Sequence, residues 1–301
     1  MNYLVYQSYG SKDILNECCY SILSLLKHGI NKNETRIVIY TDQPEYFSFL
    51  PAATLEFVQM SADIIADYKG VHAFVHRLKI KILQDAVTRF QGTILYVDSD
   101  IYFLKSIEPL FASISKTNLL MCNNEGRIHT GGNRIFEKFS AFIKKNTDYL
   151  KQHHIPIPYD ITMWNAGVIG FLSTEKELLE KVLYTNDTIY NKFQSHVVEQ
   201  LSFSYQLQKQ GTLNAATDYL YHYWNFKEFR IVLAEFFKYH LNRGSVEQMI
   251  QDIDSIRPDV LIKPKLEYET LPFLKKNIRK LGGKKNRWKF PAYTIGQAAT
   301  I

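Results

Sequence analysis

Two carboxylates close an apolar run, Ile94 to Asp100, that reads ILYVDSD. In an extended chain the residues at i and i+2 face the same way, with Cα atoms about 6 to 7 Å apart, so Asp98 and Asp100 can converge on one cation. Hard oxygen ligands suit Mg²⁺ or Mn²⁺, and such an ion keeps open positions that diphosphate oxygens can fill. Acids at the carboxyl edge of a sheet also lie where α/β proteins bind ligands. An Asp-Ser-Asp turn that only ends a strand has the same appearance, because Asp and Ser both favour turns.

The flanking pattern says what must position these acids. Short β-rich runs alternate with helical patterns, which predicts a mostly parallel sheet covered by helices. Strands are expected at Tyr3 to Gln7, Arg36 to Tyr40, Leu55 to Gln59, Thr93 to Val97 and Val168 to Leu172. The first helix follows Ser11 as N-cap and ends at Gly29, with Ile14, Cys18, Ile22, Leu25 and Leu26 on its apolar face. A helix over Val71 to Arg89 places Arg77 and Lys81 four residues apart on one face, where they can meet a diphosphate or simply be solvated; Lys79 lies between them. Further helices are expected at Glu175 to Tyr190, His196 to Lys209, Phe226 to His240 and Ser245 to Asp254.

With 301 residues, 46% of them hydrophobic, the chain can bury a large core. The formal net charge of +6 is concentrated near one end. Lys275, Lys276, Arg279, Lys280, Lys284, Lys285, Arg287 and Lys289 occur without an intervening acid, and the rest of the chain is slightly acidic. That distribution argues against a nucleic-acid-binding domain with a wholly basic face. Cys18, Cys19 and Cys122 form no disulfide framework, which fits a reducing, cytoplasmic setting. No leader pattern and no long apolar span are expected. The compositional shift near Pro258 divides the sequence into a domain over 1–257 and a basic, helical appendage over 258–301.

Several stretches, in order, resemble one family. IVIYTD (Ile37 to Asp42), the DSD followed by a hydrophobic pair and LKSIEPLF, then WNAGVIGF, VEQ and YHYW resemble nucleotide-sugar glycosyltransferases of the GT-A fold. The pattern is most similar to the group that includes glycogenin and the bacterial lipopolysaccharide galactosyltransferases, over roughly Asn2 to Lys227. The resemblance implies a Rossmann-like α/β fold, with a mixed, mostly parallel sheet flanked by helices. It also implies transfer of a sugar from a nucleotide-diphosphate donor, such as a UDP-sugar, to a hydroxyl of a glycan or lipid-linked acceptor.

Residue by residue, the resemblance makes His222 the third ligand beside Asp98 and Asp100. Asn165, Ala166 and Gly167, with Asp160, fall in the sugar pocket; an amide offers hydroxyls both donors and an acceptor, and small neighbours allow close approach. A tight turn into the following strand would use the same residues. Glu199 and Gln200 stand where the family often has Asp-Gln, and the longer acid makes its role less directly transferable. Tyr6, Gln7, Ser99, Arg77 and Lys81 fall on the nucleotide side. Lys227 is near the place of a phosphate-binding lysine, although the glycine that usually precedes it is absent. The Asn-Ala-Gly and acid-Gln pattern leans to retention, whereas an inverting enzyme needs a carboxylate base, for which Glu199 or Asp160 could serve.

Two other functions stay open at this level. One is a non-catalytic sugar- or nucleotide-binding protein of the same fold. The other is a phosphatase of the haloacid-dehalogenase type, whose motif wants Thr or Val two positions beyond the second acid, where this chain has Tyr102. The basic end, with Trp288, Phe290 and Tyr293, reads either as a contact with anionic lipid at the inner membrane face or as a solvated terminus.

Overall fold

The computed structural model describes residues 1–130 and 133–281; the expected lipid-contacting residues Lys284, Lys285, Arg287, Trp288, Lys289, Phe290 and Tyr293 lie outside them. The strands are β1 (Asn2–Gln7), β2 (Thr35–Thr41), β3 (Leu55–Gln59), β4 (Thr93–Val97), β5 (Ile101–Phe103), β6 (Asn118–Met121), β7 (Asn124–Arg127), β8 (Thr162–Trp164), β9 (Val168–Leu172), β10 (Thr212–Ala215) and β11 (Leu220–His222). The first helices are α1 (Lys12–Lys27), α2 (Ala62–Lys69), α3 (Arg77–Arg89), α4 (Glu108–Ser113), α5 (Arg134–Lys145) and α6 (Thr147–Gln152). They are followed by α7 (Lys176–Tyr190), α8 (Val198–Gln210), α9 (Phe229–Arg243), α10 (Val246–Asp252), α11 (Pro258–Leu261), α12 (Lys263–Thr270) and α13 (Phe273–Leu281).

The chain forms two compact units that interleave in sequence. Met1–Gly10, Ile30–Asp98 and Ile107–Tyr219 make the first, and Ser11–Gly29, Ser99–Ser106 and the chain from Leu220 onward make the second. The first unit is a mixed α/β layer structure around a seven-stranded sheet in the order β10-β6-β9-β4-β1-β2-β3. Within this sheet every ladder is parallel except those of β9, which runs antiparallel to β4 and β6. Strands buried on both faces read as continuous apolar runs, and Leu4, Val5, Ile37, Val38, Ile39, Leu95 and Val97 are all fully buried. At Gly170 a Cβ would come within 2.8 Å of the Ile114 Cδ1 and 3.0 Å of the Leu120 Cβ, so β9 lies close to β6 there and a side chain would require its neighbours to shift.

The second unit packs α1 against α9, α10 and the two-stranded ladder of β5 with β11. α1 starts where the sequence marks it: the Ser11 hydroxyl caps the Ile14 N–H, with Asp13 in the first turn and Lys27 in the last. Tyr20 from this helix stacks on Tyr102 at 5.6 Å. Ser24 Oγ accepts the N–H of Phe103 at 3.0 Å, which fixes β5 against the helix.

The expected helix over Val71 to Arg89 starts six residues late. α2 ends at Lys69, Gly70 caps it at φ +67°, and α3 begins only at Arg77. The spacing of Val71 and Phe74 suits a helix, but Val71 is 97% exposed and the chain around Ala73 turns through φ +50°. The guanidinium of Arg77 explains the turn. It pairs with Asp187 of α7 through Nε at 2.9 Å and Nη2 at 3.1 Å, and Nη1 donates to the Tyr68 carbonyl at 2.8 Å. A Cβ at residue 70 would press on that guanidinium at 3.2 Å. Arg77 therefore joins α2, α3 and α7. Arg77→Met is expected to lower unfolding free energy by about 2 kcal/mol, against less than about 0.5 kcal/mol for Lys81→Met, as measured by urea denaturation.

Candidate functional site

In the first unit, sheet register builds the site. Val97, the last residue of β4, pairs with Val168, the first of antiparallel β9. The turn that enters β9 is therefore held against the end of β4, and the Asp98 N–H donates to the Gly167 carbonyl at 2.8 Å. Asn165 shapes this turn: its Oδ1 accepts the Gly167 N–H at 2.9 Å. On the other side, β1 runs parallel to β4 with Tyr6 opposite Val97. Tyr6 is fully buried, while Gln7 is half-buried at the carboxyl end of its strand.

Lys79, and not Arg77 or Lys81, is the cation of α3 beside Asp98. Its ammonium lies 3.2 Å from Asp98 Oδ1 and 3.2 Å from Glu199 Oε1, and it donates to the Ala166 carbonyl at 2.9 Å. Arg77 is committed to Asp187, and the Lys81 ammonium lies over the Tyr68 ring at 5.5 Å. On a helix, Lys79 is rotated by about 200° from Arg77, so the polar stripe expected from sequence faces one way and this buried lysine faces another. Burial opposes the charge on Lys79, but Asp98 and Glu199 more than offset it and hold the ammonium ionised. The Tyr96 hydroxyl adds a bond to Asp98 Oδ1 at 2.7 Å.

Glu199 and Gln200 occupy the first turn of α8 and are both buried. Burial pushes the Glu199 carboxyl up to about 7; Lys79 counters that rise and Asp98 adds to it. Gln200 Nε2 donates to Glu125 Oε2 at 2.7 Å, and Asn165 Nδ2 donates to Glu125 Oε1 at 3.1 Å. One carboxylate thus ties the two amides together. Glu125 was absent from the sequence expectations. It lies at the register shift between Asn124 and Gly126, where β7 pairs with β8, and an extra residue of this kind re-aims its side chain. The sequence there, Asn-Glu-Gly, marks a turn but not a bulge, and the φ of +93° at Gly126 belongs to the folded ladder. Asp160 stands elsewhere in this unit's surface, 3.7 Å from Arg127, with 41% of its side chain exposed.

In the second unit, Asp100 is the centre. Antiparallel pairing sets His222 opposite Ile101, and the Tyr223 N–H donates to the Asp100 carbonyl at 3.1 Å. These bonds bring His222 Nε2 to 3.1 Å from Asp100 Oδ1, while the Lys227 ammonium donates to Asp100 Oδ2 at 2.8 Å. Burial works against ionisation of Asp100, but His222 and Lys227 outweigh it and keep the carboxyl well below the usual range. Nearby, Arg230 makes a two-bond pair with Glu17, each bond 2.9 Å. Burial still raises the Glu17 carboxyl above its ordinary value, with Arg230 as the main opposing influence.

Ser99, itself buried, joins Asp98 to Asp100 on the chain. In the second unit Asp100 and His222 stand side by side as two metal-ligating side chains, and the chain puts the carboxylate of Asp98 two residues before Asp100. Two carboxylates and one imidazole suit a divalent cation, and an aspartate held ionised is ready to act as a ligand.

No protein-family model matches the chain, and no curated protein matches it. Solved glycosyltransferase structures do resemble it. GlyE of Streptococcus pneumoniae TIGR4 is 14% identical with a TM-score of 0.45, over 71% of this chain and 46% of that one. The bifunctional WbbM is 12% identical with a TM-score of 0.45, over 70% and 38%. The galactosyltransferase LgtC, in complex with donor and acceptor sugar analogs, is 12% identical with a TM-score of 0.44, over 71% and 73%. This chain thus spans less than half the length of the first two. Identities and scores this low assign no role to any residue.

Because Lys79 neutralises two carboxylates at once, Lys79→Met leaves both without their cation. Its unfolding free energy is expected to fall by about 3 kcal/mol or more, with partial recovery in Lys79→Met/Glu199→Gln; guanidinium denaturation curves of the three proteins provide the check.

Proposed function

We propose that this chain is a divalent-metal-dependent glycosyltransferase that moves a sugar from a nucleotide-diphosphate donor to a hydroxyl of a glycan or lipid-linked acceptor. The observation that carries the reading is the bond from the Asp98 N–H to the Gly167 carbonyl. It joins the first acid of the DSD to the Asn165-Ala166-Gly167 turn, so a cation-binding carboxylate and a turn suited to hydroxyls lie at the carboxyl edge of one sheet. The order of sequence motifs supports the same reading.

In this reading Asp98, Asp100 and His222 are the ligands of Mn²⁺ or Mg²⁺. When bound, the cation would supply charge neutralisation for a departing nucleoside diphosphate. Lys227, with 53% of its side chain exposed, has the reach to exchange its bond to Asp100 for one to a diphosphate oxygen. Gln7 and Ser99 border the nucleotide, while Tyr6, fully buried in β1, supports Gln7 from within the sheet. Asn165 and Gln200, each bonded to Glu125, are the amides that meet sugar hydroxyls in this scheme. Lys79 fixes Glu199 beside Asp98 and keeps the Ala166 carbonyl in place. Arg77 and Asp160, each paired elsewhere, have no part in this scheme, and neither has Lys81.

Retention of configuration belongs to the proposal. Glu199 is tied to Lys79, and Asp160 is paired with Arg127, which leaves neither placed as a general base for an attacking hydroxyl. Three buried free thiols accord with a cytoplasmic enzyme.

A panel of nucleotide sugars tests the reading through metal-dependent release of nucleoside diphosphate. Asp100→Asn is expected to lower kcat/KM about 1,000-fold while leaving the fold intact by circular dichroism. Donor turnover that persists undiminished in this variant, or in excess chelator, would defeat the proposal. Phosphate release from simple esters without any sugar donor would point to a phosphatase, and donor binding without turnover to a binding protein.

A further inference from the structure

Helices α2, α3 and α7 of the first unit border a cavity of about 400 Å³ that the proposed transfer does not use. Its position follows from helical spacing. Arg77 and Lys81, four residues apart on α3, line it together, whereas Lys79, rotated by about 200° from Arg77, reaches Asp98. The cavity and the first DSD carboxylate therefore lie on different sides of α3. The facing wall is the end of α7, where Asn186, Asp187 and Tyr190 share one side of the helix. A volume of this size falls within the range of about 300 to 1,000 Å³ that small-molecule sites occupy.

The polar groups of the cavity are unevenly spent. Arg77 and Asp187 satisfy one another through two guanidinium nitrogens. Lys69 and Lys81 have no such partner: their ammonium groups lie over the Tyr9 and Tyr68 rings at 5.8 and 5.5 Å, and neither makes an ion pair among the described residues. Asp85, four residues beyond Lys81, is bonded to Tyr40 and Arg89 instead. Asp67 is the remaining carboxylate among the described lining residues, so the two lysines leave positive charge in excess. Deeper in the wall, Asn186 is fully buried. Its Nδ2 donates to Asp187 Oδ1 at 3.0 Å, and the reverse orientation would set oxygen against oxygen. The Oδ1 is thus the end left over, and it has no hydrogen-bond partner among the described residues. A buried acceptor of this kind calls for a donor.

We infer that this cavity is a second ligand site, for a sugar phosphate, with the phosphoryl group between Lys69 and Lys81 and a sugar hydroxyl donating to Asn186 Oδ1. Two ammonium groups on separate helices act as point charges, which suits a phosphoryl group. A carboxylate is matched by the planar fork of an arginine, and the fork of Arg77 is occupied. Phe74 and Tyr190, stacked at 3.9 Å, supply a flat apolar wall for the C–H groups of a sugar ring. The site needs neither the DSD carboxylates nor a cation.

Isothermal titration calorimetry of the full chain in EDTA tests the inference, with glucose 1-phosphate and glucose 6-phosphate as probes and glucose, inorganic phosphate and gluconate as controls. At least one ester is expected to bind about 10-fold or more tighter than any control, because only the esters engage the lysines and Asn186 together. Lys69→Met/Lys81→Met is expected to weaken that binding about 100-fold, as each lysine contributes a charged hydrogen bond. Asn186→Leu is expected to weaken the ester about 10-fold and to leave inorganic phosphate unaffected. The melting temperature of the lysine variant stays unchanged, so this variant decides the matter even where Asn186→Leu does not fold. Asp100→Asn binds the ester like the unaltered chain, which lets this site and the transferase reading fail separately. Esters that bind no better than inorganic phosphate or gluconate, or a lysine variant that binds them as well as its parent, overturn the inference.

Discussion

One buried ammonium group organises the site end of the first unit. Lys79 reaches from α3 to Asp98 at the end of β4, to Glu199 on α8 and to the Ala166 carbonyl in the turn before β9. Taking a lysine out of water costs several kcal/mol, and the cost is recovered only where the partners are close and well aimed. Three partners meet that condition here, and they come from three different segments. The position of the first DSD carboxylate is therefore set by an electrostatic tie, in addition to the sheet register that brings Val97 opposite Val168.

The second unit uses the same economy of charge around Asp100. His222 and Lys227 hold that carboxyl ionised, while burial pushes Glu199 in the other direction, to about 7. Acids whose environments move them apart in this way are suited to different duties. Asp100 has the properties of a permanent anion that can bind a cation. Glu199, locked to Lys79, has those of a fixed structural acid whose charge depends on its surroundings. Beside Asp100, Glu17 and Arg230 form their own two-bond pair, which provides a buried acid with its own cation.

Orientation of the neutral polar groups depends on a defect in a ladder. The extra residue in β7 is Glu125, and its two oxygens take one N–H each from Asn165 and Gln200. These bonds fit one assignment of nitrogen and oxygen in each amide, with the nitrogens toward the carboxylate. The Asn-Ala-Gly turn and the acid-Gln pair, more than thirty residues apart in sequence, act as one assembly through this carboxylate.

The sequence by itself determined the features that need only local information. Apolar runs read correctly as β3, β4 and β9, Ser11 as the cap of α1, and the alternation of strand and helix as a mostly parallel sheet, because side-chain period and capping chemistry act over a few residues. It also singled out Asp98 and Asp100 as acids closing an apolar run, but the strand ends at Val97 and the chain bends at Ser99 and Asp100, so the two-residue spacing does not set the direction of their side chains. Tertiary structure alone decided which charges meet. The face shared by Arg77 and Lys81 was legible, but α7 places Asp187 against Arg77, and the intervening Lys79 points to the acids. Glu125 was illegible because a bulge in one ladder aims it, and a bulge is a property of two strands. The late start of α3 has the same origin: the spacing of Val71 and Phe74 suits a helix, and only the packing of Gly70 under the Arg77 guanidinium shows why the chain turns there instead.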